Sequence, residues 1–144
     1  MIVFGVEGAA TLKECVDAYA EHWKLGPGKL GRVYDPDLDA LAAAIVSGRA
    51  IGVSARKDGK IVAGMLWWIV RDMDEKAVIT GLMTTIGRMD PGVNLAEFIQ
   101  YGIRAVKARG ATRIVLQINE AIPSLMDAAR ACGANPADRM MVVS

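Results

Sequence analysis

The apolar positions change their period several times along the chain, and each change marks an element. Residues 1–6 are an apolar run with β-branched side chains and predict a first strand. Leu12, Cys15, Val16, Tyr19 and Trp23 then recur at helical spacing. Thr11 and Glu14 stand ahead of them in capping-box order, where hydroxyl and carboxylate satisfy free backbone N–H groups reciprocally. Gly26-Pro27-Gly28 ends that helix, and residues 29–34 carry no period. Asp35-Pro36 predicts a second helix start, Asp35 as N-cap and Pro36 in the first helical position. Leu38, Leu41, Ala42 and Ile45 form its inner face, and Gly48 suits a left-handed stop.

The period then shortens. Residues 50–56 and 60–71 read as strands joined at Asp58-Gly59, a strong two-residue hairpin signal. A polar turn over 72–75 leads to a third strand over 77–86, rich in Val, Ile and Thr. Pro91-Gly92 breaks the chain, and Asn94 caps a helix with Glu97 three residues on. Leu95, Phe98, Ile99, Ile103 and Val106 are its apolar stripe, and Gly110 ends it. A strand over 113–118, a short helix over 122–132 between Pro123 and Gly133, and a last strand over 140–143 complete the chain. The order is β-α-α-β-β-β-α-β-α-β. Short turns make the meander antiparallel, and the strand from Ala77, the helix from Leu95 and the strand from Arg113 form a right-handed parallel crossover. The expected fold class is α+β, a mixed central sheet with helices on both faces, in one domain over 1–144.

Composition narrows the function. Hydrophobic residues make up 53% and charged residues 23%, so the chain is globular. A formal net charge of +1 gives no footprint for nucleic acid or an anionic membrane, and neither is an expected partner. Two separated cysteines and a single histidine, His22, make no zinc pattern, so no metal is expected. The apolar stretch over 61–70 is too short to span a bilayer. The N-terminus lacks a basic segment ahead of an apolar run, which predicts a cytoplasmic protein. Trp67 and Trp68 point to opposite faces of a strand. One belongs to the core; the other lines a cleft, lies under a helix or fills an interface. Cys15 falls on an apolar face and reads as inert core. Arg104, Lys107 and Arg109 complement a helix C-terminus and read as a solvated face.

Three phrases carry a family resemblance: Tyr34-Asp35-Pro36-Asp37, the hairpin Ala55-Arg56-Lys57-Asp58-Gly59-Lys60-Ile61-Val62-Ala63-Gly64, and the stretch from Met89-Asp90-Pro91 to Arg109-Gly110-Ala111. With the element order, they resemble the GNAT superfamily of N-acetyltransferases, and in particular acetyltransferase-like proteins common in phage genomes. The resemblance implies acetyl-CoA as donor and an amine as acceptor. It implies that the pyrophosphate meets backbone N–H groups in the loop formed by Arg88, Gly92, Val93, Asn94 and Leu95, where a helix N-terminus favours an anion. It places donors for the acetyl carbonyl along Met83, Thr84 and Thr85, and makes Gly81 a marker for the bulge at which the strands part. Close packing against a helix is the other reading of Gly81.

The chain departs from the family pattern at several points. The first loop glycine, Gly92, comes one place late, Asn94 replaces the second small residue, and Pro91 lacks an N–H. Asp90 and Glu97 add negative charge beside the expected phosphate. Residues 124–132 contain no tyrosine for the family's general acid, with Ser124 and Cys132 the nearest groups, and residues 77–87 contain no carboxylate. Glu120, just past the fifth strand, is the candidate general base, directly or through water. Two readings follow. One is an acetyl-CoA-dependent N-acetyltransferase. The other is a non-catalytic structural or assembly protein of the same fold, within a phage particle, bound to a protein partner or to further copies of itself.

Overall fold

The hairpin at Asp58-Gly59 sets the register of the sheet. In a computed structural model, which describes residues 1–23, 35–118, 122–137 and 143, these two residues have φ of 51° and 78°. Two successive left-handed residues match the right-handed twist of the strands they join. They connect β2 (Ala50–Lys57) to β3 (Lys60–Arg71), with Lys57 opposite Lys60. β1 (Ile2–Glu7) lies antiparallel to β2, and β4 (Ile79–Arg88) antiparallel to β3. β5 (Arg113–Leu116) runs parallel to β4, across the connection made by α3 (Leu95–Ala108). The sheet order is therefore β1-β2-β3-β4-β5. α1 (Leu12–Trp23), entered through a 3-10 turn at Ala9–Thr11, and α2 (Leu38–Val46) join β1 to β2, while α4 (Pro123–Ala131) follows β5. The last expected strand, over 140–143, falls largely outside the described residues.

Alternation along the strands gives the sheet two apolar faces. Ile51, Val53, Met65, Trp67 and Met83 point to one, where Phe98, Ile99, Ile103 and Val106 of α3 and Leu125 and Ala128 of α4 cover them. Leu66 and Trp68 point to the other, beneath Leu12 and Val16 of α1 and Leu41 and Ala44 of α2. Helices on both faces of a mixed sheet give the expected α+β architecture. Trp67 is the buried core tryptophan, and Trp68 is the one that lies under helices. Two glycines let helices approach closely. A Cβ on Gly64 would run into the Tyr19 ring of α1, and one on Gly102 would sit 2.5 Å from Trp67 Nε1 and 2.8 Å from Met65 Cε.

Two expected caps are corrected. The Thr11 hydroxyl donates to Glu7 Oε2 at 2.6 Å and to the Gly8 carbonyl, while Glu14 pairs with Arg56 at 2.9 Å. Thr11 is taken by the end of β1 just before it, and Glu14 by a strand 42 residues on. The second helix begins later than Asp35-Pro36 suggests. Asp37 is its N-cap, with Oδ1 accepting from the Ala40 N–H at 3.0 Å. Asn94 caps α3 as expected, accepting from the Glu97 N–H at 3.1 Å. Among the described residues no group of three or more potential ligands could hold a metal, and no helix is long and apolar enough to cross a membrane.

Candidate functional site

The pairing of β3 with β4 slips by one residue at the centre of the sheet. Leu66 faces Thr85 and Trp67 faces Met83, so Thr84 is the extra residue of a β-bulge. Its hydroxyl is fixed by Trp68, whose Nε1–H donates to Thr84 Oγ1 at 3.0 Å. The parallel pairing of β4 with β5 ends at the same level. Met83 opposite Leu116 is the last paired position, followed by one bond from the Gln117 N–H to the Met83 carbonyl at 2.9 Å. β4 then continues to Arg88 with β3 on one side and, among the described residues, no strand on the other. A bulge bends its strand and steepens the local twist, which accounts for the parting of β4 from β5 there. Among the described residues the result is a notch whose wall is an unpaired strand edge, a row of backbone groups that requires partners.

Gly81 does not mark this bulge. It is paired with Ile69 and Ile114, and a Cβ there would lie 2.7 Å from Val106 Cγ2, so its smallness seats α3 against the sheet. The Met83 side chain is fully buried, which leaves only its backbone for the notch. Thr84 and Thr85 are half-buried. Thr85 also lines a cavity of about 40 Å³ between α1, α2 and the sheet, shared with Glu7, Cys15, Tyr19 and Leu66.

The chain runs from β4 straight into the loop expected to hold a phosphate, and that loop is bonded to itself. The N–H groups of Met89 and Asp90 both donate to the Val62 carbonyl, at 2.8 and 3.3 Å. Val62 is the extra residue of a second bulge, between the Arg56–Ile61 and Ala55–Ala63 pairs. The Gly92 N–H donates to Asp90 Oδ1 at 2.7 Å, and the Val93 N–H to the Asp90 carbonyl at 3.1 Å. Arg88 braces the turn by donating from Nη1 to the Val93 carbonyl at 3.0 Å. Lys57 Nζ lies 3.4 Å from Asp90 Oδ2. The Gly92 N–H and, after it, the Lys57 charge hold the Asp90 carboxyl below its ordinary pKa. Val93 and Leu95 bury their side chains in the core. What stays on offer are the N–H groups of Leu95 and Ala96, which helix geometry leaves without intrahelical partners. Arg88, Gly92, Val93, Asn94 and Leu95 are thus brought together at the end of the notch, but the loop is folded around a carboxylate of its own.

The candidate base, Glu120, lies outside the described residues, as does Asn119. Ser124 is exposed in the first turn of α4. The Cys132 thiol donates to the Ala96 carbonyl at 3.3 Å, and burial raises its pKa, so it ties α4 to α3 as a neutral thiol. Cys15 is pushed up to about 11 by burial first and by the Glu7 charge second, in keeping with an inert residue.

The residue that sequence reasoning missed is Glu7. Its carboxylate, at the end of β1, accepts from Arg56 Nε at 2.8 Å, from Thr11 Oγ1 at 2.6 Å and from Ser54 Oγ. These partners, Arg56 first, bring its pKa down to about 2. Such a carboxylate is a weak proton acceptor at neutral pH and serves as a clasp between β1, the 3-10 turn that leads into α1, and β2. Nothing local in the sequence marks it, since two of its three partners arrive from a strand on the far side of two helices.

No protein-family model and no curated protein sequence matches the chain. Solved structures do match it. A GCN5-related N-acetyltransferase from Ralstonia eutropha superposes with a TM-score of 0.75 at 16% identity, over 100% of this chain and 99% of its own. A predicted acetyltransferase from Clostridium acetobutylicum, solved with acetyl-CoA, gives 0.73 at 10% identity over 100% and 96%. An aminoglycoside acetyltransferase from an uncultured soil metagenomic sample, solved with sisomicin, gives 0.74 at 11% identity over 99% and 94%. The chain has the fold of the GNAT acetyltransferases.

Proposed function

We propose that the chain binds the acyl-pantetheine end of acetyl-CoA along the open edge of β4 and transfers the acetyl group to an amine. The observation that carries this reading is the coincidence of the Thr84 bulge with the end of β4–β5 pairing at Met83 and Gln117. An unpaired strand edge takes an extended chain bearing amides by the same hydrogen bonds that add a strand to a sheet. The residues fit the arm of the donor. The loop fits a diphosphate only with the Gly92 N–H released from Asp90. Bound in the notch, the donor supplies an activated acetyl carbonyl. The chain's own contribution is to hold that carbonyl against backbone donors over Met83, Thr84 and Thr85, where negative charge develops as the amine attacks, and to fix the direction of approach. Glu120, directly or through a water, is the residue we assign to take the amine proton, and the C–S bond breaks to release the CoA sulfur as a thiolate that solvent protonates. On this reading the amine enters from the open side of the notch.

One observation favours a second reading. The loop's N–H groups at Met89, Asp90, Gly92 and Val93 are already engaged within the chain. A protein that has given up the donor site and kept the fold as a structural or assembly component, of a phage particle on the resemblance above, would look this way. Calorimetric titration separates the two. Binding of acetyl-CoA in the micromolar range supports the acyl site and leads to a screen of primary amines for thiol release. No heat with either acetyl-CoA or S-acetylpantetheine at millimolar concentration, on protein shown to be folded by circular dichroism, overturns it in favour of the second reading.

A further inference from the structure

We propose that Asp90 competes internally with the diphosphate of the acyl donor, so that the site favours pantetheine thioesters lacking that diphosphate over acetyl-CoA. This inference rests on the acyl-site reading above. The Asp90 carboxylate takes the Gly92 N–H at 2.7 Å, in the middle of the turn that leads into α3. It lies close over the glycine, since a Cβ on Gly92 would come within 3.0 Å of Oδ1. The open face of the glycine, which would let a phosphate oxygen approach the backbone, is therefore filled by a side chain of the chain itself. The same carboxylate draws in Lys57, 3.4 Å away, and offsets a cation otherwise available to a phosphate. The N–H groups of Leu95 and Ala96 open α3, at the positive end of its dipole.

The competition is confined to a side chain. The backbone of the loop is pinned from below by the two bonds from Met89 and Asp90 to the Val62 carbonyl and from behind by Arg88 on the Val93 carbonyl. The Asp90 side chain is one-quarter exposed, and its contacts are the Gly92 N–H and the Lys57 ammonium. A diphosphate arriving here meets a like charge first, and the carboxylate must swing out and give up a charge-assisted bond before the Gly92 donor is free. A thioester on pantetheine alone meets no such cost, because it uses only the β4 edge.

The test is calorimetry with two probes, acetyl-CoA and S-acetylpantetheine, on the wild-type chain, Asp90→Ala and Asp90→Asn. Asp90→Ala is expected to bind acetyl-CoA about tenfold more tightly, which is ~1.4 kcal/mol, with S-acetylpantetheine unchanged. Asp90→Asn keeps an acceptor for Gly92 and loses the charge, and is expected to gain part of that increase. If S-acetylpantetheine binds all three proteins but acetyl-CoA binds Asp90→Ala no better than wild type, Asp90 is only a brace of the turn. The inference is then overturned while the acyl site stands. If neither probe binds any of the three, the acyl-site reading is overturned and this inference falls with it.

Discussion

Glu7 shows how much one side chain can organise. Its carboxylate joins the end of β1 to Thr11, Ser54 and Arg56, and its pKa falls from 4.5 to about 2. A carboxyl depressed on folding contributes stability that is present above its unfolded pKa and lost as pH falls through the folded one. This contribution is therefore full above about pH 5 and disappears between there and pH 2. At ~1.4 kcal/mol per unit, and allowing for its partial exposure, the clasp accounts for about 2 kcal/mol. Urea unfolding midpoints at pH 7 and pH 2.5 test this. The wild-type chain should lose that stability on acidification, and Glu7→Gln should start lower and show a flatter dependence on pH. Equal slopes for the two proteins would show that the clasp has no net effect. Cys15, raised to about 11 by burial and the same charge, should resist alkylation at neutral pH until the chain is unfolded by urea.

At the scale of elements, glycine decides how closely a helix docks. Gly102 faces the Trp67 indole across the α3–sheet contact. Alanine would improve the helix intrinsically by up to about 1 kcal/mol, yet its methyl has no room between Trp67 and Met65. Gly102→Ala should therefore destabilise by ~1–3 kcal/mol through overpacking. Gly5, in β1, has nothing within 4 Å of a would-be Cβ, and Gly5→Ala should be neutral or slightly stabilising. Thermal midpoints of the two variants measured side by side test the contrast, and similar shifts would contradict it. Asn94→Ala should cost about 1 kcal/mol through loss of the α3 cap, seen in the same measurement.

The elements were legible in the sequence wherever the signal is local. Asp58-Gly59 fixes its hairpin because only a few residue types tolerate two left-handed positions, and Asn94 stands directly before an apolar stripe of helical period. The signal failed where a group outside the motif intervenes. Thr11 and Glu14 match a capping box in spacing, but Glu7 and Arg56 bind them instead. The bulge at Thr84 carries no glycine and no break in pattern, and the glycine that suggests a bulge, Gly81, owes its smallness to the approach of α3. The closed state of the loop was half visible. Pro91 and Asp90 announce a poor phosphate cradle, while the part played by the Val62 carbonyl depends on a bulge in another strand.

Taken as a whole molecule, the chain places its candidate site where the two halves of the sheet cease to pair. β1 to β4 form a continuous antiparallel set, and β5 joins only as far as Met83. A donor that extends this pairing along β4 stabilises the folded state by mass action. At a concentration 100 times its dissociation constant, acetyl-CoA should add about 2.7 kcal/mol, a rise of several degrees in the thermal midpoint. Deleting Thr84 removes the bulge and leaves β4 in regular pairing with β3, Met83 still opposite Trp67 and Thr85 opposite Leu66. That variant should lose the ligand-dependent rise even where it retains the fold by circular dichroism. An undiminished rise would place the donor elsewhere.

The order of strands across the sheet is also their order along the chain, and this bears on how the molecule forms. Every strand finds its neighbour next in sequence, so no pairing has to wait for a third strand to be threaded between two others. The closures differ in length, however. β2 and β3 meet across a two-residue turn and β3 and β4 across a short one, whereas β1 reaches β2 only after two helices and β5 reaches β4 only after one. Loop closure of that kind is an entropic cost met before its contacts reward it. The central meander is thus the natural nucleus, with β1 and β5 added late. In a chevron analysis, substitutions in the β2–β3 hairpin should slow refolding, and substitutions in β5 and α4 should chiefly hasten unfolding. The notch then lies at the last seam to close, between a strand that belongs to the nucleus and one that arrives after it.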